Sequence, residues 1–117
     1  MITSLKPNEI FVFGSNKEGR HAGGAAKQAH EQFGAEWGIG EGLTGQCYAL
    51  PTMEGKQSFM DSISRFRKCA AEHPALTFLL TKVGTGIAGY SEKEVKAMFA
   101  FKKKGGWPSN IIMPKGW

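Results

Sequence analysis

The fold is decided by the stretch FLLTKVGTGIAGY, residues 78–90, in which a strongly apolar run breaks into glycines. A similar stretch, EIFVFGSN at residues 9–16, precedes the glycine-rich segment AGGAAK at residues 22–27. Each stretch predicts a buried β-strand that ends at a loop and is followed by a helix. In α/β proteins such loops lie at the carboxyl ends of parallel strands, where ligands bind. The two loops together predict one site for a phosphate-bearing ligand.

Strands alternate with helices along the whole chain, in the order β-α-β-β-α-β-α-β. This order predicts an α/β fold, a three-layer α/β/α sandwich with a mixed, mostly parallel sheet, in a single domain of residues 1–117. The predicted strands are residues 9–13, 35–40, 47–50, 76–81 and 110–113. The predicted helices are residues 22–33, closed by Gly34, then 57–73, and 91–103, which begins with the capping box Ser91–Glu94. Residues 41–46 are predicted to form a loop.

The composition is that of an ordinary globular chain, with 41% hydrophobic and 21% charged residues. A net charge of +5 favours an anionic partner. The histidines and the two cysteines, Cys47 and Cys69, lack metal-ligand spacing, so no metal site and no cofactor is expected. We predict that both thiols are free and buried, which suits a reducing cytoplasm. No apolar stretch approaches the length of about 18 residues that a membrane span needs, so a membrane partner is not expected.

The second loop, GTGIAG at residues 84–89, is suited to hold an anion. Its glycines permit positive φ angles, which turn successive backbone N–H groups inward as a nest. A helix that begins near Ser91 would add its positive dipole end, and Thr85 would add a hydroxyl donor. The alternative is a tight strand-to-helix turn that binds nothing. Tyr90, directly after the loop, either stacks on a sugar or base or belongs to the core.

The first loop contributes Asn16, whose amide both donates and accepts hydrogen bonds and so suits a ribose hydroxyl. The alternative for Asn16 is a turn former. Arg20 and His21 either approach a phosphate or are solvated loop residues. Farther along, Glu41 is flanked by glycines and is the carboxylate that best fits acid/base chemistry, with an exposed loop acid as the alternative.

These motifs resemble those of the macrodomain, an ADP-ribose-binding α/β module. The run VGTGIAGY, residues 83–90, is similar to the macrodomain loop that wraps the diphosphate and the distal ribose. FGSN at residues 13–16 and AGGAA at 22–26 resemble the family's strand, asparagine, glycine-rich loop and helix start. LTG at residues 43–45 and YALP at 48–51 resemble its middle segment. A compact member of this kind would suit a phage or a prophage.

The resemblance implies that ADP-ribose, or a related adenine nucleotide derived from NAD, binds between the two loops. Asn16 would meet the distal ribose, and backbone groups of the glycine loops would hold the diphosphate. The implied ligand-binding residues are Gly14, Ser15, Asn16, Ala22, Gly23, Gly24, Ala25, Thr44, Gly84, Thr85, Gly86, Ile87, Ala88, Gly89 and Tyr90.

Two other functions compete with nucleotide binding. The first is an ADP-ribosyl hydrolase acting on an ADP-ribosylated protein or nucleic acid, with Glu41 or a water positioned by Asn16 as the catalytic group. Many hydrolytic macrodomains carry an acid inside the first glycine segment, where this chain has Ala25, Ala26 and Lys27. The second and weaker alternative is nucleic-acid binding through the lysines at 102–104 and the overall charge. Binding of the nucleotide is the predicted function.

Overall fold

Strand β1, Glu9–Ser15, lies at the centre of a five-stranded sheet in the computed structural model. The structure describes residues 2–102 and 105–117. The elements that follow β1 are α1 (Gly24–Gln32), β2 (Gly42–Thr44), β3 (Cys47–Pro51), α2 (Lys56–Glu72), β4 (Thr77–Leu80), α3 (Glu92–Phe101) and β5 (Ile111–Ile112). The predicted α/β class and the predicted order of strands and helices are confirmed.

The sheet has the strand order β2-β3-β1-β4-β5. β1 pairs in parallel with β3 on one side and with β4 on the other, and β4 pairs in parallel with β5. Only β2 is antiparallel to its neighbour, β3, among the strands of the described residues. The sheet is therefore mixed and mostly parallel, as predicted. Because β1 is hydrogen-bonded along both edges and covered on both faces, its apolar run is almost continuous.

Each face of the sheet has its own hydrophobic core, because alternate side chains of a strand point in opposite directions. Ile10 and Val12 of β1 pack in a cluster with buried side chains of α2 and α3. Phe11 and Phe13 pack in a second cluster with Ala29 of α1. Helices therefore pack against both faces of the sheet.

Two connections leave the neighbouring strands β1 and β4 in opposite directions. After β1 the chain passes through α1 to β2 and β3, on one side of β1. After β4 it passes through α3 to β5, on the other side. Because α1 and α3 belong to the cores of opposite faces, the chain separates at the carboxyl ends of β1 and β4. Open α/β sheets have a ligand-binding crevice at such a point.

Two predictions between α1 and β3 are wrong. Residues 35–40, predicted as a strand, form a turn in which Gly38 takes a φ of 96° and donates its N–H to the Gly19 carbonyl at 2.9 Å. Residues 41–46, predicted as a loop, contain strand β2, Gly42–Thr44. A two-residue turn at Gly45 and Gln46 joins β2 to β3, and pairing with the exposed edge of β3 makes this short segment a strand.

The other elements lie where the sequence predicts them, with ends that differ by up to two residues. Gly34, which follows the α1 C-cap residue Phe33, takes a φ of 81° and so closes that helix as predicted. The predicted end of the third helix and the lysines at 103 and 104 lie outside the described residues.

No helix in residues 2–102 and 105–117 combines the length and the apolar character needed to cross a membrane.

Helix α3 begins with the predicted capping box. The Glu94 N–H donates to Ser91 Oγ at 3.1 Å, and the Ser91 N–H donates to Glu94 Oε1 at 2.9 Å. The bond from the Ser91 N–H favours the carboxylate and lowers the pKa of Glu94. The contribution of Glu94 to stability is therefore present above the usual glutamate pKa and is lost as the pH falls through the lowered value.

We predict that Ser91→Ala lowers the free energy of unfolding by about 1 kcal/mol, because the Glu94 N–H loses its acceptor. Urea unfolding at neutral pH measures the loss. Ser64→Ala is the matched control, since Ser64 is an exposed serine inside α2 whose hydroxyl makes only a long bond of 3.4 Å to Met60 O. An equal loss in both variants would contradict a specific role for the cap.

Candidate functional site

A cavity of about 560 Å³ opens at the carboxyl ends of β1, β3 and β4. It lies at the point where the chain leaves β1 and β4 in opposite directions, and its volume is typical of a site for a small ligand. Both predicted glycine loops line it. The residues of the predicted site that line the cavity are Gly14, Ser15, Asn16, Ala22, Gly23, Gly24, Ala25, Gly84, Gly86, Ile87 and Ala88.

The amino end of helix α1 faces this cavity without a side-chain cap. Its N-cap residue is Gly23, and no acidic residue stands in the first turn. The N–H groups of Gly24, Ala25 and Ala26 donate no hydrogen bond to any described residue. Free N–H groups at the positive end of a helix dipole attract an anion.

The expectation that the helix after Ser91 supplies the dipole is not met. The capping box of α3 already occupies donors at that helix end, and Glu92 and Glu94 place two carboxylates in its first turn. Neither glutamate lines the cavity. The helix that offers its amino end to the cavity is α1.

The second loop adds further backbone donors to the lining of the same cavity. Hydrogen bonds from Gly89 N–H to Gly86 O and from Tyr90 N–H to Gly84 O, both at 3.0 Å, close the loop on itself. The N–H groups of Gly86, Ile87 and Ala88 donate to no described residue. This arrangement has the unpaired, closely spaced N–H groups that an anion-binding nest requires.

Gly84 is the residue that brings the second loop to its place beside β1. Its φ is 79°, and a Cβ atom there would lie 2.6 Å from Phe59 Cε2. A Cβ atom on Gly14 would lie 3.4 Å from Gly84 N and 3.5 Å from Thr52 Cγ2. The ends of three parallel strands therefore meet at the base of the cavity, and at Gly84 there is no room for a side chain.

The first loop is held in one conformation by the Asn16 side chain. Asn16 Oδ1 accepts a hydrogen bond from the Arg20 N–H at 2.9 Å, and Asn16 Nδ2 donates to Arg20 O at 3.1 Å. The amide keeps one donor and one lone pair for a ligand. The structure thus shows Asn16 as a turn former. A contact between Asn16 and a ligand would come in addition to this role.

The charge of the cavity lining is positive. Arg20 and Lys82 line it, and no acidic residue does so in the part of the chain that the structure describes. Lys82 Nζ lies 3.1 Å from Glu92 Oε1, outside the lining, and this contact lowers the pKa of Glu92. Arg20 forms no ion pair with a described residue, so its charge is available to a ligand.

Two apolar side chains stand at the rim of the cavity. Ile87, in the second loop, is 92% exposed, and Met53, in the loop after β3, is 43% exposed. Exposed apolar side chains gain free energy when a ligand covers them. A ligand with a flat apolar ring fits this rim better than a bare phosphate does.

Five residues of the predicted site lie outside the cavity lining: Glu41, Thr44, Thr85, Gly89 and Tyr90. Glu41 pairs with Arg65 of α2 through two hydrogen bonds, which raises the pKa of the arginine. Thr44 is buried and its Oγ1 accepts the Glu36 N–H. The structure therefore does not bring Glu41 to the predicted ligand.

Thr85 and Tyr90 also have local structural contacts, as does Gly89 through its bond to Gly86. Thr85 Oγ1 donates to Lys82 O at 2.7 Å, within its own loop. Tyr90 packs against the hydrophobic core, with its ring centroid 5.4 Å from that of Phe59. The core alternative for Tyr90 is the one observed.

The cavity lining contains no thiol, imidazole or carboxylate among the described residues. The Cys47 thiol is buried below the α1 face of the sheet, and burial raises its pKa to about 12. Burial also raises the pKa of Cys69, which is half-buried in α2. Both cysteines are free, as predicted, but only Cys47 is fully buried. No group of three or more metal-binding side chains occurs in residues 2–102 and 105–117.

Sequence reasoning missed the third wall of the cavity, formed by Thr52 and Met53 after β3. The signal was present, because both residues directly follow the strand that ends at Pro51. Only the strand order places that end beside β1. Lys82 also lines the cavity. It precedes the glycine loop, but the sequence around it has no pattern that predicts a ligand-binding lysine.

Comparison of the chain with known protein families, with curated proteins and with solved structures finds no match.

We predict that Gly84→Ala lowers the free energy of unfolding by about 2 kcal/mol, because it combines a left-handed φ with a clash against Phe59. Gly86→Ala is the control in the same loop, since no atom lies within 4 Å of a Cβ there and its φ is not left-handed. Urea unfolding of both variants provides the comparison. Equal stability of the two variants would show that the loop does not depend on the close approach at Gly84.

Proposed function

We propose that the protein binds ADP-ribose or a related nucleotide derived from NAD in the cavity between the two glycine loops. One observation carries this proposal. The uncapped amino end of α1 and the unpaired N–H groups of Gly86, Ile87 and Ala88 lie on the walls of the same cavity. Two sets of backbone donors on two walls suit a ligand with more than one phosphate.

The charge of the lining supports an anionic ligand of this kind. Arg20 is a planar donor that can bind a phosphate with two hydrogen bonds, and it stands beside the α1 amino end in the cavity lining. The absence of acidic groups from the described lining removes a source of repulsion. A diphosphate bridge would therefore lie across the glycine loops, near Arg20.

The apolar rim supports a nucleotide over inorganic phosphate or pyrophosphate. Ile87 and Met53 would cover a base or a sugar face at the mouth of the cavity. The gain would come from apolar area removed from water, at about 25 cal/mol per Å².

The proposal includes a three-layer macrodomain-like architecture and a cytoplasmic location. Core clusters on both faces of the sheet support the first of these. The free thiols of Cys47 and Cys69 support a reducing compartment.

We propose binding without turnover. Glu41, the candidate acid/base, is engaged with Arg65 away from the cavity, and Asn16 uses its amide to hold Arg20. A general acid or base must reach the reacting atoms directly or through one water. Release of free ADP-ribose from an ADP-ribosylated protein or nucleic acid, at a rate that depends on this protein, would instead support the hydrolase.

Isothermal titration calorimetry with ADP-ribose, ADP and NAD tests the proposal. We expect at least one of them to bind, and we expect Gly86→Glu to weaken that binding at least tenfold, because the new carboxylate enters the cavity and repels the phosphates. The substitution should leave the fold intact, since a Cβ at Gly86 meets no atom within 4 Å.

Ala75→Glu is the matched control for charge. Ala75 is an exposed residue in the turn before β4, at the end of the sheet opposite the cavity. Unchanged binding in this variant and weakened binding in Gly86→Glu would support the cavity as the site. Absence of binding by the folded wild-type protein to all three nucleotides would refute the proposed function.

A separate prediction concerns the apolar rim. Ile87→Ser should weaken the binding of ADP-ribose several-fold and leave the binding of pyrophosphate unchanged, because only the nucleotide covers the side chain. The exposure of Ile87 makes a loss of stability unexpected. Calorimetry with the two ligands measures the difference, and an equal effect on both would show that Ile87 acts through the backbone of its loop.

A further inference from the structure

The loop after β3 contains a carboxylate, Glu54, that lies beside the cavity without lining it. Its Oε2 accepts a hydrogen bond from the backbone N–H of Lys17 at 3.1 Å. Its Oε1 is buried and has no hydrogen-bond partner among the described residues. A half-buried carboxylate next to a site for an anion is electrostatically unfavourable, and its bond to the Lys17 N–H points to a structural role.

The bond from Lys17 to Glu54 continues a set of hydrogen bonds between two walls of the cavity. The Thr52 N–H donates to Ser15 O at 2.9 Å, just before Glu54 in the same loop. Asn16, the residue between Ser15 and Lys17, holds both the N–H and the carbonyl of Arg20. Glu54 is therefore connected to Arg20 through residues 16–20.

The other side of residues 16–20 packs against the backbone of residues 38–40. A Cβ atom on Gly19 would lie 2.4 Å from Gly38 C, and one on Gly40 would lie 2.3 Å from Lys17 O. Residues 16–20 are thus held between the turn at residues 38–40 and the Glu54 carboxylate. Holding Arg20 in place before the ligand arrives lowers the entropic cost of binding.

We infer that Glu54 is a positioning residue, which binds the Lys17 N–H and thereby fixes residues 16–20 so that Arg20 faces the anionic ligand. The effect of Glu54 on ligand binding rests on the proposed function, which is the binding of a phosphate-bearing nucleotide. The contact itself belongs to the free protein and can be measured without any ligand.

Removal of the carboxylate separates this role from a purely electrostatic one. If the Glu54 charge acted only through space, its removal in Glu54→Ala and in Glu54→Gln would strengthen the binding of an anion in both variants. A positioning role predicts opposite results. Glu54→Ala loses the acceptor and binds roughly tenfold more weakly, whereas the amide oxygen of Glu54→Gln still accepts from Lys17 and keeps or improves the affinity.

The experiment measures ADP-ribose affinity by calorimetry for wild type, Glu54→Ala, Glu54→Gln and the control Glu72→Ala. The control removes one exposed carboxylate at the far end of α2, and its affinity should be unchanged. Each variant is also made with Arg20→Ala. Because Glu54 acts through Arg20, Glu54→Ala should cost little further affinity once Arg20 is absent. Full additivity of the two changes would overturn the inference.

Hydrogen exchange of the free proteins provides the readout that needs no nucleotide. The amides of Lys17 and Arg20 should exchange faster in Glu54→Ala and at the wild-type rate in Glu54→Gln and Glu72→Ala. Unchanged protection of both amides in Glu54→Ala would refute the positioning role. If protection changes as expected but wild type binds none of the nucleotides, the positioning role stands and the proposed function fails.

Discussion

The close approach of three strand ends is the constraint on which the site depends. Gly14 of β1, Thr52 after β3 and Gly84 after β4 lie close together at the base of the cavity. Gly84 combines a left-handed φ with contact against Phe59 of α2, so a side chain there is excluded for two independent reasons. Because these backbones approach so closely, the loops that follow them surround one space instead of spreading over the surface.

The chemistry of that space comes mainly from the backbone. The amino end of α1 and the loop at residues 84–89 both present N–H groups without partners in the described chain. Such donors have fixed positions and need no rearrangement when an anion binds. Arg20 adds a full positive charge. The hydrogen bonds made by Asn16 and Glu54 restrict the backbone that carries it and so limit the positions of that charge. The side chains of Asn16 and Glu54 thus serve chiefly to orient Arg20. We propose that the cavity holds a nucleotide without acting on it.

Sequence patterns predicted most of the elements because the signals are local. The apolar run of β1, the capping box at Ser91 and the cap at Gly34 depend on residues within a few positions of one another. The errors lie where contacts between residues distant in sequence determine the secondary structure. Residues 35–40 carry apolar side chains but pack against residues 17–19, and the segment at 42–44 becomes a strand because β3 offers an edge. The amino end of the helix at the cavity is that of α1 and not of α3, because Ser91 and the first turn of α3 lie outside the cavity lining.

The sequence by itself determined the α/β class, the order of the elements and the two glycine loops, because strand propensity, helix periodicity and glycine content are properties of short segments. The sequence also predicted that both loops belong to one site, but only the tertiary structure decided that Thr52 and Met53 form the third wall of the cavity and that Glu41 lies elsewhere with Arg65. The tertiary structure also decided that the residues linked to Arg20 include Glu54, which binds Lys17 across 37 positions of sequence. These features depend on strand order and packing. A contact between two residues that are distant in sequence cannot be predicted from the local sequence pattern around either of them.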